Sequence, residues 1–275
     1  VHSREAFRQQ SYFSDIAISE ETREIFAQSC LDFILTYGFD GVDLDWEYPV
    51  EGGLETNQQD PTDKENLTAL LQRLRELLDA QEQIDNKQYY LSIASSANPN
   101  YMDNLEVEEI MNSLDWINVM SYDFHGPWSG DGDPSTNFNS PLYMTEGDDV
   151  PEPYHTNFNL HASVQNYIDR GVPREKLNAG LAFYGRAFGG VQNINNGLFA
   201  PYAEPSSIGT WEDGVFDYWD LEDNFVNQNG YTRYWHEEAQ VPWLYNPSTQ
   251  VMISYDDVQS IGIKAEYIIQ ENLGG

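Results

Sequence analysis

FDGVDLDWEYP, residues 39–49, sets four carboxylates, Asp40, Asp43, Asp45 and Glu47, into a run that otherwise reads as an apolar strand. Val42, Leu44, Trp46 and Tyr48 recur at every second residue, so a strand here turns them to one face and Gly41, Asp43, Asp45 and Glu47 to the other. The acids then form a row with steps of about 6.6 Å per two residues. Like charge along a half-buried face raises the free energy of full ionisation, and a proton held within the row relieves it. Such a proton is available for donation. A solvated acidic strand end and a cation site are the competing readings of any acidic run, and the apolar opposite face argues against them.

The chain has 275 residues with 40% hydrophobic content, enough for one large domain or two modest ones with a real core. It carries no run of about 18 apolar residues and opens with no charged-then-apolar leader, so no membrane span is expected. Val1 at the start and LGG after a helical pattern at the end both read as cut ends. Net charge is −33, from 46 acidic against 13 basic residues, which repels nucleic acid and anionic membranes and leaves neutral or cationic ligands as partners. The five histidines show no paired spacing, so neither a metal site nor a cofactor is called for. DGDPSTN, residues 131–137, starts like a calcium loop but lacks the glycine and closing glutamate at the required offsets, and reads as a turn. The single cysteine, Cys30, falls in line with Phe26, Phe33 and Tyr37 and is expected to be a buried structural thiol.

Ser19 with Glu20 and Glu21 caps a helix that runs to Tyr37 and is stopped by Gly38; the acidic strand follows at once. Thr62 to Glu65 spells a capping box that opens a helix with Leu67, Leu70, Leu71, Leu74 and Leu78 on one face. Strands are expected at YYLSIASSA from Tyr89, at DWINVMSYD ending at Asp123, and at LNAGLAFYG, 177–185. Short helical stretches fall at 107–111 and 162–170, and a last helix at 257–269. Strand alternates with helix at βαβ spacing, which implies a parallel sheet flanked by helices, an α/β fold with four visible strands. Between Arg186 and about Tyr245 the pattern becomes short, aromatic and turn-rich, which marks an inserted α+β subdomain at 187–245 between segments 1–186 and 246–275.

DGVDLDWEYP, VMSYDFHGPW, AFYGRAF and the tail YDDVQSIGIKAEYIIQENLGG recur in the order found in family 18 glycoside hydrolases, and the chain resembles that family along essentially its whole length, specifically chitinases with an inserted domain. The resemblance implies a (β/α)8 TIM-type barrel in which the acidic strand is the fourth, followed by the fifth to seventh. By the same comparison strands one to three and eight are not represented, and with the eighth goes the family's floor tryptophan. In such barrels the site lies at the carboxyl ends of the strands, where Glu47, Asp123 and Arg186 fall.

A conventional retaining glycosidase needs two carboxylates facing each other across the bond at about 5 to 5.5 Å. Asp45 and Glu47 project in parallel from one strand instead, so the nucleophile must come from elsewhere. The substrate's 2-acetamido group is the candidate, as in the substrate-assisted exception that this family represents. By motif match, Glu47 is the general acid and then the base for water, with its pKa raised by its neighbours. Asp45 orients the acetamido N–H and stabilises the cation, and Asp43 supports it from behind. Tyr122 fixes the acetamido carbonyl, Met120 is in phase with it, and Asp123 holds sugar hydroxyls or the acetamido group. Trp128, Tyr184, Arg186 and Tyr48 are assigned to substrate binding, by stacking and by hydrogen bonds to sugar oxygens. For Arg186 a structural salt bridge to the inserted subdomain is an equal alternative. Trp46 and Trp116 read as core, as does at least one of Trp211, Trp219 and Trp235. The implied partner is chitin or an N-acetylglucosamine oligosaccharide, met by a secreted protein. A noncatalytic chitin-binding lectin on the same scaffold, an acidic cation-binding domain, and an endoglycosidase acting on N-glycans stand as the other readings.

Overall fold

The computed structural model describes residues 12–128 and 135–275, and of the DGDPSTN turn residues 131–134 lie outside the described residues. The chain divides into two compact units: residues 12–119, 166–178 and 273–275 form one, and 120–128, 135–165 and 179–272 the other.

In the first unit, α1 (Phe13–Ala17) leads into α2 (Glu20–Tyr37). Ser19 and Thr22 cap α2 reciprocally, each side chain bonding the other's main-chain N–H, and Gly38 ends it at φ +75. The buried stripe of α2 is Ala27, Leu31 and Ile34, while Phe33 and Tyr37 are exposed. The expected Cys30 face is therefore not the buried one. Cys30 is half-buried, because α2 carries apolar residues around most of its circumference and only packing chooses among them. Burial still pushes the Cys30 thiol up to about 11.

α3 (Asp63–Asp85) buries Leu67, Leu70, Leu71, Leu74 and Leu78 as its period requires. Each such leucine contributes about 2 kcal/mol. The expected capping box at Thr62 does not form. Asp60 Oδ1 instead accepts from the Thr62 N–H and hydroxyl, at 2.8 and 2.6 Å, and the buried Asp63 carboxylate accepts from Ser14 Oγ, Asp60 N and Val50 N.

β1 (Gly41–Asp45), β2 (Tyr90–Ser96), β3 (Trp116–Met120) and β4 (Leu177–Ala179) form one sheet in that order. β1 and β2 pair in parallel, with Asp43 opposite Ser92 and Asp45 opposite Ala94. Gly41 is required there, since a Cβ would stand 2.1 Å from the Tyr90 carbonyl oxygen. Leu44 on β1 and Trp46 just past its end are buried, Trp46 stacking on Phe13, and Asp43 and Asp45 are exposed. α4 (Leu160–Asp169) contributes Tyr167, whose hydroxyl bonds Ser95 Oγ and the Ser96 carbonyl.

Two expected strands are shorter than their patterns. β3 stops at Met120 rather than Asp123, and 177–185 breaks into β4 and a separate strand, β5 (Tyr184–Gly189), in another sheet. Apolar alternation continues past the point where a partner strand stops supplying hydrogen bonds, and the bonds define the strand.

The second unit is built on a six-stranded sheet. Its path is β6 (Glu204–Pro205), β5, β10 (Val251–Ser254), β9 (Val241–Asn246) and β8 (Thr232–His236), with β7 (Val215–Asp217) on β5. The pairings are antiparallel. Alternation splits its core: Phe188, Trp243, Tyr245 and Met252 pack on one face with Phe138, and Ala187, Leu244 and Ile253 on the other with Phe216 and Leu221. Leu221 comes from α5 (Tyr218–Asn224). Trp243 is thus the core tryptophan here; Trp211 and Trp219 are exposed and Trp235 is half-buried. α6 (Val258–Gln270) closes this unit, capped by Asp257 and Ser260.

Candidate active site

β1 ends at Asp45, so Glu47 stands two residues past the strand and not within it, and the Glu47–Tyr48 peptide is cis. The chain beyond the strand is held from behind. Asn57 Nδ2 donates to the Glu47 carbonyl oxygen at 3.0 Å, and Gly53, at φ +72, passes so close that a Cβ would lie 2.3 Å from that same oxygen. The buried Asp63 fixes Val50, three residues on. Tyr48 lies half-buried with its ring stacked on Tyr101 at 4.4 Å. Burial, then the charge of Glu47, pushes its hydroxyl up from the ordinary tyrosine value.

Asp43 and Asp45 are exposed, not set on a half-buried face. Asp43 is nonetheless anchored: its Oδ1 accepts from Ser92 Oγ at 2.5 Å and from Asn118 Nδ2 at 3.0 Å. Asn118 Oδ1 accepts in turn from Asn178 Nδ2 at 3.0 Å, so a polar row crosses β1, β2, β3 and β4. Sequence reasoning missed Ser92, Asn118 and Asn178. The signal was present as polar residues within otherwise apolar strands: Ser92 in YLSIASS, Asn118 in WINVM and Asn178 in LNA.

In the second unit, Met120 is the last residue of β3 and Tyr122 lies beyond the strand, where its ring meets Tyr184 edge-on at 6.2 Å. Asp123 follows at φ +55 and takes Arg186 with both carboxylate oxygens, Nε to Oδ1 at 2.8 Å and Nη2 to Oδ2 at 2.7 Å. The guanidinium lies 5.3 Å from the ring centres of both Trp128 and Tyr184. Burial pulls Arg186 down, and the hydrogen bonds and charge of Asp123 more than offset it, leaving Arg186 above its ordinary value. Tyr184 is raised by burial and then by Asp123. Tyr122, Asp123, Trp128, Tyr184 and Arg186 thus form one cluster, and the partner of Arg186 is Asp123 rather than a residue of 187–245. Tyr184 and Arg186 share a face of β5 because Gly185 separates them.

An anchored acidic triplet at one strand end and an aromatic, ion-paired cluster after another invite comparison with known proteins, and residues 6–275 match the profile of glycosyl hydrolases family 18. The chain belongs to this family. Chitinase A1 from Niallia circulans is 48% identical over 264 residues, covering 96% of this chain and 37% of that protein. Chitinase B from Serratia marcescens is 32% identical over 290 residues, covering 92% of this chain and 56% of that one. Among solved structures, chitinase ChiA74 from Bacillus thuringiensis matches with a TM-score of 0.90 at 43% identity, over 97% of this chain and 43% of that one. This family 18 chain therefore spans 37% to 56% of the length of these curated relatives. Its fold class is the family's TIM-type (β/α)8 barrel, and β1 to β4 form a four-stranded sheet of it. Among the described residues no group of three or more His, Cys, Asp or Glu is placed to hold a metal ion, and no helix is long and apolar enough to cross a membrane.

Proposed function

We propose that the protein hydrolyses β-1,4 linkages between N-acetylglucosamine units of chitin or chito-oligosaccharides, with retention and with the substrate's acetamido group as nucleophile. The observation that carries this reading is the intact acid Glu47 just past an anchored Asp43–Asp45 strand end, in a chain whose relatives are chitinases. Glu47 protonates the departing glycosidic oxygen and then takes a proton from the attacking water. Asp45 holds the acetamido N–H and stabilises the positive charge that grows on the ring-closed intermediate. Asp43, with donors from Ser92 and Asn118 on its Oδ1, supports Asp45 and does not itself act.

Tyr122 is read as directing the acetamido carbonyl, Asp123 and Arg186 as presenting hydrogen-bonding groups to sugar oxygens, and Trp128 and Tyr184 as offering ring faces. Met120 and Tyr48 are further candidates for substrate binding. We take 187–245 as an insertion between barrel segments 1–186 and 246–275; the antiparallel β8–β9 pairing there, against the parallel pairing of β1 and β2, supports it. Secretion is the corresponding localisation, since a chitin polymer is met outside the cell.

The acetamido role sets the test. The full-length protein should cleave an acetylated hexamer and leave the fully deacetylated hexamer uncut. Equal rates on the two would end the substrate-assisted reading.

A further inference from the structure

Asp123 occupies the left-handed region, φ +55, where a residue with a Cβ is uncommon, although aspartate tolerates it better than most. Something must hold it there, and Arg186 grips only the carboxylate. The main chain is held by Asn139. The Asp123 N–H donates to Asn139 Oδ1 at 3.1 Å, and the N–H of the next residue, Phe124, donates to the Asn139 carbonyl at 3.0 Å.

Asn139 is itself 1% exposed and donates its N–H to Ser254 Oγ at 2.7 Å. Ser254 is the register partner of Arg186 in the β10–β5 pairing. A closed circuit results: Arg186 takes the carboxylate of Asp123, and the residue opposite Arg186 takes the residue that fixes the backbone of Asp123. The adjoining residue repeats the pattern, since Ser140 Oγ donates to the Ser121 carbonyl and the buried Lys264 donates to both the carbonyl and the hydroxyl oxygen of Ser140. Residues 121–124 are thereby pinned on both sides of Tyr122. The Asn139 Nδ2 is buried with no hydrogen-bond partner among the described residues, so the side chain serves through its oxygen.

We propose that Asn139 is a positioning residue that fixes the left-handed turn at Asp123 and, through it, the Asp123–Arg186 pair of the substrate site. The inference rests on the reading that Asp123 and Arg186 meet the sugar. It acts through Asp123, so its effect should vanish when Asp123 is gone.

The experiment is a double-mutant cycle on the full-length protein with an N-acetylglucosamine hexamer, joined to a crystal structure of the Asn139→Ala variant. N139A is expected to lower kcat/KM by roughly tenfold, and to add less than about twofold once Asp123→Ala is present. In the crystal, Asp123 should leave the left-handed region and lose at least one of its two bonds to Arg186. An undiminished N139A penalty in the Asp123→Ala background, or an unchanged Asp123 in the crystal, overturns the proposal. Should the wild type fail to cleave the hexamer, the functional reading falls, and the crystal structure alone decides the positioning role. Should N139A fail to fold, Ser254→Ala, which removes only the outer bond to Asn139, is put through the same cycle and the same crystal comparison; additive losses or an unmoved Asp123 again overturn it.

Discussion

Asn57 donates its side-chain amide to the carbonyl oxygen of Glu47 at 3.0 Å, closing a ten-residue span over the end of β1. The segment bearing the proposed acid is therefore fixed by a loop residue rather than by the strand ladder, which stops at Asp45. Replacing Asn57 by alanine should cost about 1 kcal/mol of stability. Turnover of the hexamer should fall by more than that loss suggests, on the order of tenfold, because a misplaced acid is felt mainly in the transition state. Urea unfolding and steady-state rates measured on one preparation check it.

Glu47→Gln should keep the shape of the site and remove the proton. Turnover is expected to drop by two to four orders of magnitude, roughly the range for loss of a general acid, while hexamer affinity by calorimetry stays within about threefold. Undiminished turnover would remove Glu47 from the mechanism.

Gly41 and Gly38 separate two reasons for glycine. A Cβ on Gly41 meets the Tyr90 carbonyl oxygen at 2.1 Å, so Gly41→Ala must push β1 from β2 and should cost about 2 kcal/mol or more. Gly38, at φ +75, has open space around it, and Gly38→Ala should cost only the left-handed backbone, about 1 kcal/mol. A reversed order in thermal denaturation would contradict the close approach at the sheet.

The Cys30 thiol is raised by burial from its ordinary 9.0 to about 11. The folded state thus favours the neutral thiol. Its contribution to stability is fully present below pH 9 and is lost as pH rises toward 11, because only the unfolded chain ionises in that window. Alkylation by iodoacetamide at pH 8 should be slow in the folded protein and should quicken on unfolding in urea. Equal rates in the two states would show an open, ordinary thiol.

Much of the framework was legible in the chain. The leucine period of α3, the Ser19 start and Gly38 stop of α2, and the order of Asp43, Asp45 and Glu47 depend on residues a few positions apart. The cluster of Tyr122, Asp123, Trp128, Tyr184 and Arg186 was nameable through the family's motifs, although its pairings were not.

What sequence alone determined, then, was the identity and order of the acids and the local helix signals, because short-range backbone chemistry writes them. Tertiary structure decided where β1 and β3 stop, which stripe of α2 is buried, and why 177–185 divides between two sheets. It also chose the anchors of the acids, as Asp43 finds Ser92 49 residues away and Asn118 75 residues away. Strand ends, buried faces and such pairings are set by partners distant along the chain, and no local period records which distant residue will supply the hydrogen bond.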